Sequence, residues 1–178
     1  MPELSAKKIL FMSGSGSDKP VVGAYQRKLK EKFGVQSDWR VTSAHRTPDE
    51  AWDISAHLTL NEYAACGCIA GYQNALAPLV AHASTKPVYA LKPEVREFVK
   101  EFGMDPPDLV LYNAEIFGTL FLPPGVSVPL VIDLENGAVA MAKEVAHFDS
   151  EVKKRVTQYF QDKRGKVIDA DREAMKGN

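Results

Sequence analysis

Three short apolar runs, Ile9 to Met12, Ala64 to Ala70 and Pro87 to Leu91, recur along the chain with helix-like stretches between them, and Val35 to Val41 is a plausible further strand. This alternation constrains the fold more than any other feature. Runs so short and so continuously apolar read as buried strands. Buried strands joined through helices run parallel and need helices on both faces of the sheet. Between the first two runs, Val21, Tyr25, Leu29 and Phe33 recur every four residues and form one apolar helix face, which Gly34 stops. Asp18 or Ser17 is expected to cap that helix, with Pro20 in its first turn. Thr47-Pro48-Asp49-Glu50 has the form of a capping box and predicts a helix through Leu58. Gly71 to Asn74 turns into another helix, through about Ala83.

The second half follows the same logic. Val95, Phe98, Val99 and Phe102 suggest a short helix ended by Gly103, and Leu109 to Tyr112 a strand. Pro123-Pro124-Gly125 predicts a rigid turn before a strand over Val128 to Leu134. Asn136 is expected to cap a helix carrying Ala140, Met141, Val145 and Phe148. Asp149 to Asp171 reads as a long amphipathic helix with Val152, Val156, Tyr159 and Phe160 facing inward. Together these predict one domain over residues 1–178: a three-layer α/β/α fold with a parallel sheet, flavodoxin-like or Rossmann-like, and a long C-terminal helix.

With 178 residues, 45% of them hydrophobic, such a domain buries about 70% of its unfolded surface and needs no metal or disulfide staple. A net charge of -1 argues against nucleic acid or an anionic membrane as partner. Cys66 and Cys68 share one face of a strand, cannot form an ordinary disulfide, and read as small buried hydrophobes. No second cysteine pair completes a zinc site, so no metal is expected. The N-terminus has no apolar signal core, and no apolar run is long enough to span a bilayer. A reducing cytoplasm is the expected setting.

Chemistry is concentrated at two strand-to-helix junctions, where open α/β sheets bind ligands. Met12-Ser13-Gly14-Ser15-Gly16-Ser17-Asp18 lacks a P-loop lysine and the full dinucleotide glycine spacing. Its glycines still permit close backbone approach, and its serines can donate at the positive end of a helix. Asp18 would repel a phosphate but can accept hydrogen bonds from ribose hydroxyls. A serine-rich turn that only caps a helix accounts for the same spacing. In Val41-Thr42-Ser43-Ala44-His45-Arg46-Thr47-Pro48, Arg46 offers planar donors to phosphate oxygens. His45 can exchange a proton near neutral pH. His57 and His82 fall within helices with no partner at metal spacing, and His147 near a helix C-terminus.

On these motifs the chain resembles the PurE family, the aminoimidazole ribonucleotide carboxylases and mutases of purine biosynthesis. The matching pieces are Gly14 to Asp18, Arg40 to Pro48, Ala70 to Pro78, Leu122 to Gly125 and the alanine-rich Gly137 to Ala142, in that order. The mutase branch carries a Gly-Ala-Ala-His-Leu-Pro-Gly loop after its third strand. This chain lacks it and is more similar to the direct carboxylases, which join aminoimidazole ribonucleotide to CO2 without ATP, biotin or metal. The resemblance implies Ser15, Ser17 and Arg46 for phosphate, Asp18 for ribose and His45 as the catalytic proton carrier. It also places Gly14, Ser43, Gly71 and Asn74 in the substrate site, with the Asn74 loop closing over the base. It implies no cofactor, a small ribonucleotide and CO2 as ligands, and a homo-octamer or tetramer.

Three positions depart from the direct-carboxylase pattern. Tyr72-Gln73 stands where that branch carries Arg-Ser, and Phe121 with Pro124 replaces a cation and a hydroxyl. Arg46-Thr47 matches the mutase branch. A mutase acting on the N5-carboxylated isomer and a non-catalytic ribonucleotide-binding paralogue therefore stand beside the carboxylase as alternative readings.

Overall fold

The computed structural model describes residues 7–58, 63–70, 75–92 and 116–176. The expected Glu94-to-Gly103 helix, the Leu109-to-Tyr112 strand and the Gly71-to-Asn74 turn lie outside these residues. Five strands form one all-parallel sheet: β1 (Lys8–Ser13), β2 (Ser37–Val41), β3 (Tyr63–Ile69), β4 (Val88–Leu91) and β5 (Leu130–Val131), in the order β2-β1-β3-β4-β5. This is the order of a doubly wound, flavodoxin-like sheet, in which the connections reverse direction between β1 and β3.

Helices α1 (Lys19–Lys28), α4 (Leu134–Ala146) and α5 (Ser150–Lys176) cover one face, and α2 (Pro48–Leu58) and α3 (Leu76–Ala83) the other. The two core clusters follow the strand period of two. On β3, Ala65 and Ile69 pack toward α1 and α4, while Cys66 and Cys68 pack toward α2 and α3. The two cysteines are fully buried and unbridged, with sulfurs 3.8 Å apart.

The four-residue apolar spacing after β1 produces a helix that changes pitch. An α-helix turns once in 3.6 residues, so a strict period of four drifts around its surface. The chain corrects this with a π-helical turn over Leu29–Phe33, which keeps Val21, Tyr25, Leu29 and Phe33 all buried. Gly34 closes it at φ 73°, a left-handed conformation suited to glycine.

Several local expectations are corrected. The strand expected over Val128 to Leu134 spans only Leu130–Val131, because Asp133 already caps the next helix by accepting from the Asn136 N–H at 2.7 Å. Asn136 is thus the capped residue rather than the cap. Phe148 lies past the end of α4 and is 47% exposed. In α5, Val152 and Val156 are buried, but Phe160 is turned outward, against Tyr159 and beneath the Lys143 ammonium at 4.8 Å. Asp149 caps this helix, accepting from the Glu151 and Val152 N–H groups. Among the described residues, no helix is long and apolar enough to cross a membrane.

Candidate active site

The carboxyl ends of β1, β2, β3 and β4 open on one side of the sheet, and residues that follow β1, β2 and β3 line a crevice of about 430 Å³ there. Gly14, Ser15, Ser17, Asp18, Ser43, His45 and Arg46 all line it, with Ala44, Ala70 and Leu76. The two separate sequence motifs therefore meet at one place, next to the point where the strand order reverses. Gly71 and Asn74 fall outside the described residues.

The first loop is held from below. Ser13, fully buried at the end of β1, donates its hydroxyl to the Ser15 carbonyl at 3.0 Å and accepts from the Trp39 indole at 2.9 Å. Residues Gly16–Asp18 form a short 3-10 turn before α1. Asp18 is the N-cap residue of α1, as expected, but its side chain makes no cap bond there; Ser15 caps the 3-10 turn. The Ser15 side-chain oxygen accepts from the Ser17 N–H and the Ser17 hydroxyl, while Asp18 Oδ2 accepts from the Ser15 N–H at 3.0 Å. With two bonds accepted, the Ser15 hydroxyl proton is directed outward as a donor. Asp18 keeps its second carboxylate oxygen for a ligand.

The second loop is a tight turn over 44–46. The Thr47 hydroxyl accepts from the Ser43 N–H at 2.9 Å and contacts the Thr42 hydroxyl, so it faces the loop instead of capping toward Glu50. Arg46 then ties the loops together. Its backbone N–H and Nε donate to Ser43 Oγ, and its guanidinium donates to the Gly14 carbonyl. Arg46 is thereby pre-ordered with its remaining donors free to face an anion. His45 and Arg46 are exposed in the isolated chain.

One residue at the site was not anticipated. Lys92, directly after β4, is 7% exposed and donates from Nζ to the Ala70 carbonyl at 3.4 Å. Burial pulls its ammonium down to about 8, against the opposing attraction of Asp18. Burial likewise raises the Asp18 carboxyl, against the Ser15 N–H and the charges of Lys92 and Arg46. The signal was available in Leu91-Lys92-Pro93: a lone cation at the carboxyl end of an apolar strand. Among the described residues, no cluster of three or more histidine, cysteine or acidic side chains could hold a metal ion.

The AIR carboxylase family model matches residues 8–166. The chain is 32% identical over 169 residues to a phosphoribosylaminoimidazole carboxylase of Archaeoglobus fulgidus, covering 93% of this chain and 84% of that one. It is 32% identical over 165 residues to an N5-carboxyaminoimidazole ribonucleotide mutase of Methanocaldococcus jannaschii, covering 92% of this chain and 94% of that one. The crystal structure of Treponema denticola PurE superposes with a TM-score of 0.77 at 24% identity, covering 94% of this chain and 98% of that chain, and shares its fold.

Proposed function

The chain belongs to the AIR carboxylase family, and from that premise we propose that it joins CO2 to 5-aminoimidazole ribonucleotide. The product is 4-carboxyaminoimidazole ribonucleotide, formed reversibly in purine biosynthesis and without ATP, biotin or metal. The observation that carries this reading is the convergence of Ser15, Ser17, Asp18, His45 and Arg46 on one crevice. The outward hydroxyl of Ser15 and the remaining donors of the Arg46 guanidinium suit a phosphate, with Gly14, Ser17 and Ser43 shaping the wall around them. The free oxygen of Asp18 suits ribose hydroxyls, and His45 stands across the crevice to serve the base.

The aminoimidazole ring is an electron-rich enamine, so its C4 can attack CO2 directly, forming the new carbon–carbon bond. The proton on C4 then passes to the His45 imidazole and on to solvent, which restores the aromatic ring. In reverse, His45 protonates C4 and CO2 departs. General base catalysis of this kind contributes about 10²- to 10⁴-fold, and orienting the ring against CO2 contributes further. Water must be excluded from the crevice, and His45 is exposed in the isolated chain. A homo-octamer or tetramer, with the Gly71 and Asn74 loop, would supply the missing wall.

A mutase is the second reading, supported by Arg46-Thr47 and by the equal identity to the M. jannaschii protein. The missing Gly-Ala-Ala-His-Leu-Pro-Gly loop favours the carboxylase. Purified protein given aminoimidazole ribonucleotide and labelled CO2 should place label in the product. Turnover of the N5-carboxy isomer with no incorporation of free CO2 would assign the mutase reaction. Tight ribonucleotide binding with neither reaction would identify a binding paralogue.

A further inference from the structure

A crevice meant for a phosphorylated sugar has a carboxylate in its wall, and the two repel. Asp18 is half-buried, with one oxygen on the Ser15 N–H. Arg46 faces it from the loop after β2, but that guanidinium is already tied to Gly14 and Ser43 and is the group assigned to the phosphate. Lys92 reaches the same place from the opposite side. Its stem is buried at the end of β4, and its ammonium rests on the carbonyl of Ala70, a residue of the crevice wall.

We infer that Lys92 is the counter-charge of Asp18, a positioning residue that lets this one crevice hold a ribose-binding carboxylate beside a phosphate. The inference rests on the ribonucleotide reading above. Counting charges shows why the lysine matters. With Asp18 at -1 and Arg46 and Lys92 at +1 each, these three groups leave the crevice net positive. Without Lys92 they sum to zero, and a phosphate monoester of about -1.5 to -2 near neutrality gains nothing from them. Lys92 also makes that balance depend on pH. Among the described groups, Asp18 from the loop after β1 attracts its charge, and the Ala70 carbonyl after β3 accepts from its ammonium. Burial brings Lys92 down to about 8, so its charge is present at neutral pH and lost just above it. Arginine in its place would stay charged throughout.

Calorimetric titration with 5-aminoimidazole ribonucleotide in CO2-free buffer, from pH 6.5 to 9.5, reads the effect. Wild type should lose affinity by about tenfold as pH rises through 8, the equivalent of one pKa unit of linkage. Lys92→Arg should hold its affinity to the alkaline end. Lys92→Met should bind about tenfold more weakly at pH 7 and show no alkaline loss. In parallel, carbon NMR of the ligand-free protein, with the Asp18 carboxyl assigned through Asp18→Asn, should show Asp18 titrating higher in Lys92→Met but not in Lys92→Arg. Wild-type affinity in Lys92→Met at pH 7, a surviving alkaline loss in that variant, or an unmoved Asp18 titration overturns the inference. A wild type that binds no ribonucleotide overturns the functional reading instead, and the Asp18 titration then decides the counter-charge by itself.

Discussion

Gly67 lies at the middle of β3, on the face that α4 covers, and Gly67→Ala tests how closely the helix and the sheet approach. A Cβ at this position would stand 2.7 Å from Leu91 Cδ1, 3.0 Å from Met141 Sδ and 3.0 Å from Phe11 Cε1. Non-bonded carbon atoms prefer about 3.5–4.0 Å, so all three neighbours must retreat. Each contact is with the end of a side chain that could turn away if it stood alone. The three are 1% exposed or less and belong to one core cluster, so space yielded by one is taken from the others. Overpacking of this kind costs about 1–3 kcal/mol. The stiffer unfolded chain of the alanine variant offsets about 0.4–1 kcal/mol. The net loss is about 1–2 kcal/mol, which lowers Tm by roughly 2–8 °C in a domain of this size. Calorimetry and urea unfolding measure it. In a Leu91→Ala background the nearest contact is gone, and the cost of Gly67→Ala should shrink by at least about 0.5 kcal/mol. A Gly67→Ala protein as stable as wild type, or a cost unchanged by trimming Leu91, would refute the argument.

Three further outcomes are expected. His45→Asn should bind aminoimidazole ribonucleotide within a few-fold of wild type and lose turnover, and retained turnover would remove His45 from the chemistry. Arg46→Ala should weaken ribonucleotide binding by about tenfold to hundredfold, the ~1.5–3 kcal/mol of a hydrogen bond to a charged group, as read by calorimetry. Glu135 accepts from the Tyr159 hydroxyl at 2.7 Å and pairs with Lys32 and Lys163 at 3.0 and 2.9 Å, which holds its carboxyl down at about 2. Its folded value lies below the ordinary 4.5, so its contribution is complete above that pH and disappears as pH falls toward 2. For a partly exposed network this is about 1 kcal/mol at most. Glu135→Gln should therefore be less stable than wild type at pH 7 and equal to it near pH 2 in urea unfolding; a gap that persists in acid would assign the effect to packing.

Most of the fold could be read from the residues because the relevant signals are local. Each central strand is a run of four to seven apolar residues, and each covering helix repeats its apolar face within two turns, so neither depends on distant sequence. The errors occur where tertiary contacts decide. Nothing local separates Asp133 from Asn136 as a cap, and the strand before it is cut to Leu130–Val131 because the chain must already turn into α4. Phe160 has helical spacing with Val152 and Val156, yet no element among the described residues buries it, and its ring lies under Lys143.

The site divides along the same line. Gly14 to Asp18 and Ser43 to Arg46 are each recognisable alone, but they lie on different loops, and only the parallel pairing of β1 with β2 brings them together. The hydrogen bond from Arg46 to the Gly14 carbonyl, which spans 32 residues, is the physical form of that pairing. Lys92 was harder to see because its importance is relational. A lysine after a strand is ordinary, whereas a lysine after the fourth strand of a doubly wound sheet, beside an aspartate after the first, is not. The strand order β2-β1-β3-β4 sets those two ends two positions apart across β3, whose Ala70 carbonyl receives the lysine. In such a sheet the carboxyl ends of neighbouring parallel strands open toward one crevice, so the charges that follow them should be counted together before a ligand is assigned to any one of them.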